Sequence, residues 1–205
     1  MSCIPVRERE QEEKKMNKKQ TDTGKLTFMA VMLAITIVFV MVTAIPNFSI
    51  SMAVAMFLPT LLTAMVLGIK EGMIMGALAG VVTLARALLM PLSPFDYFFI
   101  NPLVSVLPRM FIGLTAGLVF RLIKNTLKGP GTLAAAIGGA VGMLTNTVLV
   151  VGMLFAVHGQ NMIDAMGAGF FATLGVLFAS NGLIEMITAA VLMPILYNVY
   201  TKYKR

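Results

Sequence analysis

TFMAVMLAITIVFVMVTAI, residues 27–45, is nineteen residues without a charge, and it ends at Pro46-Asn47. About twenty apolar residues in a helix cross the ~30 Å hydrocarbon core of a bilayer, so this stretch is of spanning length. What precedes it has the opposite character. Residues 1–25 hold seven of the sixteen basic residues and five of the nine acidic ones. That polar stretch is too long and too rich in acids for a secretory signal, and no small-residue cleavage pattern ends the apolar run. The run therefore reads as a retained first helix behind a charged cytoplasmic tail, with residues 1–25 as tail and 26–205 as membrane domain.

The same pattern recurs along the chain. Ser51–Ile69 forms a second apolar run, closed by Lys70-Glu71-Gly72. Met73–Met90 carries Arg86 and stops at Pro91, and Asn101–Ile123 carries Arg109. Leu133–Val157 and Ser180–Tyr200 complete the set. Between those two, Ala165–Ala179 is too short to span, about 22 Å as helix. It is expected to form a short extra helix near the outer surface, before the sixth span. The expected fold is an all-α integral membrane protein of six transmembrane helices. Composition agrees: 58% of residues are hydrophobic and 12% charged, with mean hydropathy +0.88, whereas soluble domains carry about 25% charged residues.

Charge placement orients the bundle. With six spans and the N-terminus inside, the inner segments hold fourteen of the sixteen basic residues, in groups of seven, one, three and three, and the outer loops none. That is the asymmetry of a cytoplasmic N- and C-terminus in a plasma membrane. The net charge of +7 thus reflects a membrane surface and not nucleic acid.

Charges within a membrane helix cost roughly 2.5–3.5 kcal/mol each, so each requires a reason. Arg86, Arg109 and Glu185 all fall in the outer half of their spans. Span five adds Thr145-Asn146-Thr147, span six opens with Ser180-Asn181-Gly182, and the outer loops add Asn47, Asp96, Tyr97, Asn101 and His158. One reading makes these groups glue between helices; such bonds average well below 1 kcal/mol. The other makes them the lining of a polar pocket open to the outside. Arg86 is near enough to the surface to snorkel, and Pro108 with Gly113 and Gly117 gives Arg109 a structural role as well.

Several chemistries lack their residues. There is no GxxxxGKS/T phosphate loop, no GxSxG and no HExxH, so ATP hydrolysis and the usual hydrolase constellations have no basis here. The lone Cys3 forms neither an internal disulfide nor a metal site. An intramembrane enzyme would have to use Glu185 and His158 as acid and base. A scaffold would use the polar groups only for helix pairing. A pocket without an energy source fits a binding protein that needs an engine.

The stretch Asn101-Pro-Leu-Val-Ser-Val-Leu-Pro-Arg109-Met-Phe-Ile-Gly-Leu-Thr-Ala-Gly117 resembles the fourth helix of S components of energy-coupling factor (ECF) transporters. Thr145-Asn-Thr-Val and Asn181-Gly-Leu-Ile-Glu185 are similar to that family's fifth and sixth helices. Ala30 and Ala34 look like its first-helix motif, which contacts the coupling subunit. The resemblance covers about residues 25–200. It implies six helices and no cofactor, with a water-soluble vitamin held near the extracellular side. Arg109, Asn146, Glu185, Asn181, Arg86, Asn101, Asn47 and Tyr97 are the candidate binding residues. It also implies docking on a transmembrane coupling protein with two cytoplasmic ATPases, and toppling within the bilayer. Within the family the chain looks most like pantothenate-type members. A guanidinium forks onto a carboxylate, which suits pantothenate; folate and other vitamins stay open.

Overall fold

The computed structural model describes the backbone of residues 6–42, 54–91, 99–166 and 168–203, and the side chains of 22–42, 54–91, 99–154, 156–157 and 181–203. Every regular element among them is helical. In chain order these are α1 (Val6–Val42), α2 (Leu58–Val66), α3 (Ile69–Leu89), α4 (Pro102–Ser105), α5 (Leu107–Arg121), α6 (Gly131–Met166) and α7 (Ala168–Tyr203). A π-helical turn, Leu122–Thr126, extends α5.

Among the described residues, five stretches are long and apolar enough to cross a bilayer: Asp22–Val42, Ile69–Leu89, Pro102–Thr126, Gly131–Leu154 and Asn181–Tyr203. A shorter apolar helix, Val54–Val66, joins them. Their outward faces are apolar at helical spacing, as with Val31, Ile35 and Val38 on α1 or Ile187, Val191 and Ile195 on α7. Such surfaces are tolerated in lipid and not in water. The architecture is that of a multi-pass membrane protein. Threonine hydroxyls inside the helices bond the preceding turn, Thr36 the Met32 carbonyl at 2.9 Å and Thr145 that of Val141 at 2.8 Å, although Thr60 Oγ1 on α2 is buried without a partner among the described residues.

Two close crossings set the bundle. Gly72, Gly76 and Gly80 recur every four residues and form a bare stripe down α3. A Cβ at Gly76 would collide with the Arg109 carbonyl, and one at Gly80 would lie 2.6 Å from the Val106 Cα. From the other side, a Cβ at Gly113 would collide with the Gly72 carbonyl. The helices meet backbone to backbone, the approach that small residues permit in membranes. On the other flank, α6 lays Gly139 against α7, and Gly138 and Gly142 against α5 and α2. Leu61, Ile112, Ala116, Met143, Ala189 and Met193 fill the space between at essentially zero exposure.

Three expectations are corrected. The second apolar run does not continue to Ile69: it breaks at Gly68, whose φ of 128° disfavours any side chain. Lys70, Glu71 and Gly72 then form the first turn of α3. The part of that run before Val54 lies outside the described residues. The fourth run is not one continuous α-helix, because Pro108 lacks the N–H that would bond the Val104 carbonyl, and α4 ends at Ser105. The separate helix expected over Ala165–Ala179 is also absent. Met166 ends α6, and residues 168–179 are the first turns of α7, which runs through Asn181-Gly182 to Tyr203. A glycine within a helix costs only about 1 kcal/mol, and here it serves close contact, since a Cβ at Gly182 would lie 2.7 Å from Thr147.

Candidate substrate-binding site

The charged groups sort by end. Lys25 pairs with Glu71 at 3.3 Å, and Lys124 donates to the Tyr197 hydroxyl at 2.9 Å beside the Phe120 ring. Both contacts belong to the end where α2 turns into α3 and α5 finishes. At the opposite end, where α2 and α5 begin, Arg109 and Glu185 line one cavity.

Arg109 enters through the broken start of α5. Although only 6% exposed, its guanidinium is held by Nη1 donating to the Val104 carbonyl at 2.9 Å. The rings of Phe99 and Phe57 lie 5.3 and 5.9 Å from its charge, in range for cation–π attraction. Its Nε is buried without an acceptor. From α6, Asn146 is 7% exposed and its Oδ1 has no donor. Asn181, Gly182 and Glu185 come from α7, one turn apart on one face, and Thr147 and Val150 from α6 complete the wall. Glu185 makes no ion pair with Arg109 within 4.0 Å. The cavity has a volume of about 150 Å³ and is partly open to the exterior, smaller than the ~300–1,000 Å³ usual for drug-sized ligands.

Four expected site residues therefore meet: Arg109, Asn146, Asn181 and Glu185. Two others do not line the cavity. Asn101 caps α4, accepting from the Leu103 N–H at 3.0 Å, and Asn followed by Pro is the signature of such a cap. Arg86 sits half-buried in the last turn of α3. Asn47 and Tyr97 lie outside the described residues. Met56, Phe57, Phe99 and Val150 line the cavity without having been singled out by sequence; hydropathy cannot separate an apolar wall from a lipid-facing residue. Ala30 and Ala34 are both exposed on α1.

Polar groups from three helices, two of them buried without a partner among the described residues, gather in one cavity of an apolar bundle, the arrangement of a site for a small polar solute. The family model for the ECF transporter, substrate-specific component, matches residues 24–197, and the chain belongs to that family. Its members are transport components and not enzymes. The pantothenate transporter PanT of Leuconostoc mesenteroides subsp. mesenteroides is 30% identical over 142 residues, which is 67% of this chain and 70% of that protein. The pantothenic acid transporter PanT of Lactococcus lactis subsp. cremoris is 26% identical over 159 residues, 71% of this chain and 76% of that protein.

Proposed function

We propose that this S component captures pantothenate from the extracellular side of a bacterial plasma membrane. It delivers the vitamin by docking on a coupling protein driven by two cytoplasmic ATPases. The observation that carries the reading is the pairing of two buried, underused polar groups, Arg109 Nε and Asn146 Oδ1, in one cavity with Glu185. Buried groups of this kind cost stability unless a ligand completes them. Pantothenate supplies a carboxylate, an amide and hydroxyls, and the names of both relatives point to the same solute.

The topology that serves this function has six spans, with Val54–Val66 as the inner part of the second and both termini in the cytoplasm. The distribution of basic residues supports it, and it places the cavity in the outer leaflet. Residues 26–205 form the membrane domain and residues 1–25 its cytoplasmic tail. Ala30 and Ala34, small and facing outward, suit close approach by the coupling protein.

The test is a thermal-shift and calorimetric screen of the detergent-purified chain against water-soluble vitamins. Pantothenate is expected to stabilise the chain and bind with nanomolar Kd, about −12 kcal/mol. Stabilisation by another vitamin and none by pantothenate overturns the substrate. Uptake in cells is expected only with the coupling protein and active ATPases; uptake by this chain alone overturns the mechanism.

A further inference from the structure

Pro108 explains why Arg109 is held as it is. In an unbroken helix the Val104 carbonyl would accept from the N–H of residue 108, and proline has none. Val104 is fully buried, so water does not take that place. The backbone bonds around it go elsewhere: the Val106 N–H to the Pro102 carbonyl at 2.8 Å, and the Met110 N–H to that of Val106 at 3.0 Å. The donor that reaches Val104 is Arg109 Nη1. One corner of the guanidinium is thus committed to the protein, with its Cζ 5.9 Å from the Phe57 ring and 5.3 Å from the Phe99 ring. The Nε–Nη2 edge makes no hydrogen bond among the described residues.

We propose that Pro108 is a positioning residue for the ligand: by leaving the Val104 carbonyl without a backbone donor, it draws off Arg109 Nη1 and keeps the Nε–Nη2 edge free to fork onto a ligand carboxylate. Asn146, whose Oδ1 has no donor among the described residues, takes a hydroxyl or amide from the rest of the ligand, as does Glu185. The solute is held by its two ends, acid toward α5 and hydroxyls toward α7. This rests on the reading of the cavity as a pantothenate site. It goes further in demanding a free carboxylate, and in giving a residue that has no polar side chain a part in recognition.

The experiment compares pantothenate with pantothenol, in which an alcohol replaces the carboxylate, on the wild-type chain and on Pro108→Ala. Alanine returns an N–H to Val104 and releases Nη1. The expected result is a loss of about tenfold in pantothenate affinity, with pantothenol affinity and thermal stability of the free chain unchanged. Equal losses for both ligands, or no loss for either, overturn the proposal. Arg109→Lys gives a second measurement independent of the proline, since an ammonium keeps the charge but cannot hold Val104 and fork a carboxylate together. Wild-type pantothenate affinity in that variant also overturns it. A wild-type chain that binds neither compound, and binds another vitamin, marks failure of the pantothenate reading itself.

Discussion

The first span and the fourth are both apolar and of spanning length, yet they are held in opposite ways. Half of the window Pro102–Thr126 is buried, against 11% of Asp22–Val42. The fourth presses its backbone on that of α3 across Gly72, Gly76 and Gly80. The first touches its neighbours through side chains: Lys25 on Glu71, Phe28 edge-on to Tyr200 at 5.7 Å, and the buried Thr36 and Val40. The difference separates two duties. The helix that carries Arg109 into the cavity is locked, and the helix that exposes Ala30 and Ala34 is lightly attached.

Disturbing the locked crossing gives the largest expected effect. A methyl at Gly76 has nowhere to go but into the Arg109 carbonyl, so Gly76→Ala is expected to cost about 3 kcal/mol and Gly76→Val to abolish folded protein. Thermal unfolding and gel filtration in detergent check both, and tolerance of valine would deny that the helices are in backbone contact. Next in size is Glu185→Gln. Because Glu185 forms no ion pair among the described residues, the variant is expected to fold normally and lose about tenfold, roughly 1.4 kcal/mol, in pantothenate affinity by calorimetry. Unchanged affinity would remove Glu185 from the site.

On the lightly held helix the effects shrink. With side chains 40% and 24% exposed, the Lys25–Glu71 pair is expected to contribute about 0.5 kcal/mol. Lys25→Met should cost that much at low salt and almost nothing in high salt. Smallest of all is Ala34→Leu, expected to change stability by less than about 0.5 kcal/mol and to leave ligand binding intact, while uptake with the coupling module falls sharply. Normal uptake by that variant would move the docking face elsewhere.

Much of this was legible in the sequence, and what was not has a physical reason. Lipid demands long apolar helices, so the first, third, fourth, fifth and sixth spans announced themselves. The second was overextended because Gly68 and Gly72 look alike in sequence and only one carries the positive φ. Asn181-Gly182 looked like a boundary, but a glycine that lets Thr147 approach reads the same as one that ends a helix. The site's polar members stood out against hydrocarbon. Its aromatic members did not, since Phe57 and Phe99 acquire their role from the guanidinium beside them. Asn101 misled for a simpler reason: it is polar, but its hydrogen bond is spent on the backbone.

One feature of α1 reaches beyond the bilayer. The helix continues without interruption from Asp22 back to Val6, an added length of about 24 Å at 1.5 Å per residue. A rod fused to a loosely tethered base behaves as a pointer: leaning the base by about 10° sweeps its tip through about 4 Å, by the same rise. The inclination of the first span is thereby written as a displacement of the helix tip near Val6.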